Sequence, residues 1–161
     1  MKETFFLEDD ADGFGLLQGI PFIEKLEGRY FRQIVKISRR RDYGVGEVII
    51  EEGECDSFLY ILLAGEVKIV KQESVLARLN QIGDIFGEMG VIELLPRSAT
   101  VLAVSPEVSC LVIDTSLLEI MEPADRAAVY KMLAETVSER LRAATEELIA
   151  LKQLVMGQSP L

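Results

Sequence analysis

The sequence predicts a mainly β domain, an antiparallel sandwich or barrel flanked by helices. Three observations carry that prediction. Between Ser38 and Asp114, Val, Ile and Leu crowd into runs of strand length that are cut by glycines at short intervals. Ahead of that region the apolar residues fall at helical spacings. Behind it, Ala124 to Met156 contains neither Gly nor Pro and is rich in Ala, Leu, Glu, Lys and Arg, the composition of a long helix.

Taken in order, residues 1–15 read as a loose acidic N-terminal arm. From Leu16 to Ile37, one apolar group is Phe22, Ile23 and Leu26, and the next is Tyr30, Phe31, Ile34 and Val35. Gly28 separates them, which predicts two short helices. The β domain, with its N-terminal helices, is expected to span residues 16–122. Its runs are GEVIIEEG, SFLYILLAGEVKIV, SVLARLNQIG and ATVLAVSPEVSCLVID, with Gly44, Gly46, Gly53, Gly65 and Gly83 between them. The basic cluster SRRRD, Ser38 to Asp42, alternates along one strand and reads as a solvated edge.

Pro123 suits the first turn of a helix, with Asp125 near its positive end. That helix should occupy residues 123–156, about thirty residues and roughly 45 Å at 1.5 Å each. Leu133, Val137, Leu141, Ala144, Leu148, Leu151 and Val155 mark a heptad seam with one slip. The first half can pack on its own domain. The second half has little left to cover it, so a homodimer through the helix, Pro123 to Val155, is expected. Gly157 ends the helix, and residues 157–161 form a tail.

At 161 residues the chain is long enough for one domain with a real core. It is 49% hydrophobic and 27% charged, and no apolar run approaches the length of a membrane span. The start, MKETFFLEDDADGFG, turns acidic after one lysine, unlike a signal peptide, so a cytoplasmic protein without membrane contact is expected. The start and the frayed tail favour a complete small protein. There is no histidine, which removes the commonest general base and metal ligand. Cys55 and Cys110 stand at no metal-ligand spacing and read as a loop thiol and a core-strand thiol. A net charge of −10 with pI near 4.6 argues against a nucleic-acid partner. No catalytic residue, metal or cofactor is expected.

The stretch FGEMGVIELLPRSATV, Phe86 to Val101, interrupts the strands with one acid and one base, each beside the smallest side chains. Gly87-Glu88 opens a short helical turn, and a helix start offers free N–H groups to an anion. Arg97 brings a permanent charge and a planar fork that fits phosphate. Ser98 and Ala99 are small enough to leave backbone N–H groups open. Glu88 would repel a phosphate, but it suits a sugar hydroxyl on the far side. A 3′,5′-cyclic nucleotide has that combination of one phosphate charge and one free ribose hydroxyl.

At these residues the sequence resembles the cyclic-nucleotide-binding domain family, whose phosphate-binding cassette reads F-G-E-[aliphatic]-[A/G]-[aliphatic], a spacer, then P-R-[A/S]-A-[T/S]-V. Here it reads FGEMGV, IELL, PRSATV. The spacing from Glu88 to Arg97 resembles that of kinase regulatory subunits. The resemblance covers about Leu16 to Leu154. It implies an antiparallel β-roll, a double-stranded β-helix or jelly roll, with N-terminal helices and a long C-terminal helix. It implies that Arg97, Ser98 and Ala99 hold the phosphate, and that Gly87 and Glu88 meet the ribose. Ile61, Leu63 and Leu79 are the implied apolar wall under the base.

In relatives resembling the bacterial catabolite activator, the long helix lids the pocket, dimerises and reaches the base. In SERLRAATEE, Arg140 falls on the family's helix arginine. Ala144 stands at its first hydroxyl position and Thr145 at the second. Ser98 leans towards cAMP, with cGMP as the alternative. A sensor module without a DNA-reading domain is expected, and the downstream protein partner is not legible. The resemblance implies a regulatory module that signals by moving its C-terminal helix. Two other readings stay open: a ligand-free scaffold holding a Glu88–Arg97 salt bridge, and a cupin-like enzyme, which the lack of histidine disfavours.

Overall fold

The computed structural model describes residues 1–5, 15, 17, 19–20 and 28–157. Phe22, Ile23 and Leu26, and with them the first expected helix, lie outside the described residues, as does the end of the tail. Helix α1 is Gly28–Lys36, so Gly28 opens a helix. Ile34 and Val35 lie on its buried face.

Nine strands form two antiparallel sheets among the described residues. They are β1 Lys2–Phe5, β2 Ser38–Gly44, β3 Val48–Ile50, β4 Phe58–Ala64, β5 Val67–Lys71, β6 Ser74–Leu79, β7 Ile85–Phe86, β8 Thr100–Ala103 and β9 Glu107–Asp114. One sheet has the order β1-β2-β9-β4-β7 and the other β3-β8-β5-β6. They face one another as a roll and do not close into a barrel. A short helix α2, Glu88–Glu93, fills the chain between β7 and β8. A 3-10 turn, Thr115–Ile120, leads to the unbroken helix α3, Pro123–Gly157.

Two cores lie back to back on the larger sheet. Between the sheets, Tyr60, Leu62, Phe86, Cys110 and Val112 meet Ile50, Val67, Val101 and Ala103. On the outer face, Ile61, Leu63, Leu111 and Ile113 meet Leu17, Ile20, Ile34, Val129 and Leu133. Strands β4 and β9 are therefore buried on both faces, which is why they read as continuous apolar runs with no alternation. Gly65 makes the turn between β4 and β5 at φ +87°, where a Cβ would come within 2.6 Å of Ser105 Oγ.

Two expectations need correction. The first residues are not a loose arm: β1 pairs with β2, with Lys2 opposite Asp42 and Phe5 opposite Arg39. The basic cluster is then not an edge, because β2 lies between β1 and β9. Its charges are met locally. Glu3 takes Arg41 at 2.5 Å and Arg39 at 3.2 Å, and Arg40 takes Asp42 at 2.8 Å. The guanidinium groups of Arg39 and Arg41 also lie 4.7 and 4.8 Å from the Phe58 ring centroid. The thiols fall as the sequence suggests: Cys55 is exposed, and Cys110 is buried on β9, where burial pushes its pKa up to about 12.

Helix α3 has two halves. Val129, Met132 and Leu133 are buried against the domain. From Leu141 onward Leu148, Ile149, Leu151, Leu154 and Val155 are exposed. No helix of the described residues is long and apolar enough to cross a membrane.

Candidate functional site

The site begins with one glycine. Gly87 takes φ +80°, caps α2, and turns the chain from β7 so that Glu88 begins the helix as a buried carboxylate. A Cβ on Gly87 would sit 2.8 Å from Arg97 Nη1 and 3.0 Å from Ile50 Cδ1. On Gly90, one turn further, it would sit 3.1 Å from the same nitrogen. The two glycines thus form a berth for a guanidinium against the backbone of α2. Gly87→Ala meets both the positive φ and the berth. It is expected to cost about 1–2 kcal/mol of stability and to weaken ligand binding as Arg97 shifts. Denaturant unfolding and calorimetry of the variant check both effects.

Arg97 is only 3% exposed, and its side chain is held on every side. Nε donates to Asp56 Oδ2 at 3.2 Å and Nη1 to Gly87 O at 2.6 Å, while Nη2 donates to Asp56 Oδ1 and to Phe58 O. Its backbone is pinned as well: Arg97 N donates to Glu54 O at 2.8 Å, and Gly53 N donates to Arg97 O at 2.9 Å. Of the five N–H donors of a guanidinium, this leaves one on Nη1. The expected Glu88–Arg97 salt bridge of a ligand-free scaffold is not the arrangement found. Arg97 pairs with Asp56, and Glu88 pairs with Arg140 of α3 at 2.6 Å. Arg140 Nη2 also donates to Ile85 O, so one side chain ties the long helix to the loop that carries Glu88.

These groups border a cavity of about 470 Å³, within the range that encloses a small organic ligand. Gly87, Glu88, Arg97, Ser98, Ala99 and Arg140 all line it, so most of the residues singled out in the sequence come together. The Ser98 hydroxyl donates to Met89 Sδ at 3.8 Å. The apolar wall is formed by Ile50, Ile69, Leu76 and Val101, chiefly from the smaller sheet. Three cations line it, Lys71, Arg97 and Arg140, and each has a carboxylate beside it, Glu52, Asp56 and Glu88 respectively.

Four expected base contacts are not brought to the cavity. Ile61 and Leu63 point to the outer core, against the side of the sheet that α3 covers. Leu79 pairs with Val67, at the end of β5 away from the cavity, and packs between the sheets; Leu76 is the β6 residue that reaches the site. Thr145 donates back to Leu141 O at 2.7 Å, and Ala144 beside it lines the cavity. Sequence reasoning missed Asp56, Lys71 and the wall residues. Asp56, in the turn EEGECDS, carried one signal: it is an acid at the end of a glycine turn ahead of a buried strand.

Residues 40–122 match the family described as "Cyclic nucleotide-binding domain". The chain is 38% identical over 90 residues to a cGMP-dependent protein kinase of Plasmodium berghei, covering 55% of this chain and 10% of that one. It is 36% identical over 91 residues to a cAMP-dependent protein kinase regulatory subunit of Mycosarcoma maydis, covering 54% and 17%. It thus spans less than a fifth of either relative. Among solved structures, a cyclic nucleotide-binding domain from Methylobacillus flagellatus superposes with a TM-score of 0.73 at 21% identity, over 86% of this chain and 84% of that one.

Proposed function

The chain belongs to the cyclic nucleotide-binding domain family, and from that premise we propose that its cavity binds one 3′,5′-cyclic purine nucleotide. The observation that carries this reading is Arg97: a buried, pinned guanidinium with one N–H left, on a cavity wall beside the small residues Ser98 and Ala99. The cyclic phosphate takes that donor and neighbouring backbone N–H groups. The ribose 2′-hydroxyl donates to Glu88, and the purine lies on Ile50, Ile69, Leu76 and Val101. The protein is read as a binding module that regulates something else, not as an enzyme.

The output is the position of α3. Glu88 is shared between the ribose and Arg140, so the ligand acts on the same carboxylate that holds the helix. A ligand shifts such an equilibrium only as far as its affinity for the two helix positions differs. The Glu88–Arg140 contact is where that difference arises. Beyond the domain, the exposed stripe of Leu141, Leu148, Leu151 and Val155 pairs with its copy in a homodimer. Leu148→Glu with Leu151→Glu should turn a dimer into a monomer in sedimentation equilibrium and leave nucleotide binding intact. A monomeric wild type would remove the dimer from the account.

The sequence expectation of cAMP rests on Ser98, while the helix keeps only one of the two hydroxyl positions, Thr145, with Ala144 at the other. The Ser98 hydroxyl is engaged with Met89, and Thr145 lies off the cavity. The choice of base therefore has to rest on other groups. Calorimetric titration with cAMP and cGMP tests the binding reading: saturable heat at one site per chain supports it, and no heat with either would favour a ligand-free scaffold.

A further inference from the structure

We infer that Met89 is an oxidation site, and that its sulfoxide turns the cavity away from its ligand. The inference rests on the cavity being a cyclic-nucleotide site and adds a covalent control to it. The chain has five methionines. Met121 and Met132 are 6% and 8% exposed and packed in the outer core, which shields them from an oxidant. Met1 and Met156 are exposed, but neither lines the cavity. Met89 combines both properties: it is 45% exposed, and it lines the cavity next to Glu88 on α2.

Its sulfur also touches the phosphate side of the site. The Ser98 hydroxyl donates to Met89 Sδ at 3.8 Å. A thioether is a weak acceptor, so that hydroxyl gives up little when it turns to a ligand.

Hydrogen peroxide changes this contact. It transfers one oxygen atom to the sulfur: the O–O bond breaks, an S–O bond forms, the sulfur gives up two electrons, and water leaves. The flexible apolar side chain becomes a polar, chiral one. The new oxygen is a stronger acceptor than the thioether and holds the Ser98 hydroxyl. Its negative end also lies beside Ser98, where it repels a phosphate charge. Sulfoxide reductases return the sulfur to the thioether, with two thiols supplying the electrons and water released, so the control is reversible. A bound nucleotide covers Met89 in turn, which protects a loaded site and leaves an empty one open to the oxidant.

The test treats the full chain with hydrogen peroxide. Every protein carries Cys55→Ser, because the Cys55 thiol is exposed next to Asp56 and would react as well. Peptide mass spectrometry should find sulfoxide at Met89 and Met156 and little at Met121 and Met132. Saturating cAMP or cGMP should slow the reaction at Met89 and leave Met156 unaffected. By calorimetry, oxidation should weaken both nucleotides about fivefold or more, the equivalent of one ordinary hydrogen bond. A sulfoxide reductase should restore the affinity. In Met89→Leu, which is apolar and lacks sulfur, peroxide should change the affinity less than about twofold. An oxidised Met89 with unchanged affinity would overturn the inference, as would an equal loss in Met89→Leu or a Met89 that stays reduced while Met156 reacts. An untreated protein that binds neither nucleotide would overturn the nucleotide reading and this inference with it, a result set apart by preceding any oxidation.

Discussion

Arg97→Ala should weaken cyclic-nucleotide binding by about 2–5 kcal/mol, the range for truncating one partner of a buried, hydrogen-bonded charge pair. That corresponds to roughly thirty- to several-thousand-fold in affinity. The effect is large because the guanidinium is 3% exposed and lies between Gly87 and Gly90, where water is a poor replacement. The same side chain also joins three segments, through Asp56, Phe58 O and Gly87 O, so the variant should lose some stability as well. Asp56 is a quarter exposed and can turn to water, which limits that loss. Arg97→Lys separates charge from shape: it keeps the cation but loses the planar fork, and should recover only part of the binding. Wild-type affinity in Arg97→Ala would remove the phosphate assignment.

Asp56→Ala produces the reverse imbalance. It leaves a cation that is almost fully buried without its counter-charge. Breaking a fully buried pair costs about 3–5 kcal/mol. Because Asp56 is a quarter exposed, a loss of about 2–3 kcal/mol is expected, at the low end of that range. In a domain of this size that lowers the melting temperature by roughly 4–12 °C. Asp56 Oδ1 also accepts from Phe58 N at 2.9 Å, so Asp56→Asn, which keeps an acceptor, should lose less. Denaturant unfolding of the two variants decides. A change below about half a kcal/mol in Asp56→Ala, the size of an ordinary surface substitution, would show that the pair does not hold the turn.

Features contiguous in the chain were legible in the sequence. The glycine-cut strands, the glycine that starts the cassette helix, Glu88, Arg97 and the long helix each carry a local signal, and each is found in its place. Features set by strand register were not. Asp56 lies far from Arg97 in sequence and reaches it only because Gly53 and Glu54 pair with the backbone of Arg97. Ile61 and Leu63 were placed on the wrong side because β4 is apolar on both faces, so its pattern cannot say which face meets a ligand and which meets a helix. The wall comes instead from the opposite sheet, through Ile50, Ile69 and Val101. The strand at Lys2–Phe5 escaped notice because four residues show little periodicity, and its partner strand is marked by arginines. Charge partners were the hardest to read. Glu88 and Arg97 look like a pair in the sequence, yet each has a different partner in the fold.

The central claim is that the cavity beside Arg97 holds a cyclic nucleotide. Isothermal titration of the purified chain with cGMP and with cAMP tests it most directly. The account predicts saturable binding of one nucleotide per chain at micromolar strength or better, and its weakening in Arg97→Ala. No heat and no thermal stabilisation with either nucleotide would contradict it. The Arg97–Asp56 and Glu88–Arg140 pairs would then be structural, and the exposed stripe of the long helix would be the functional surface.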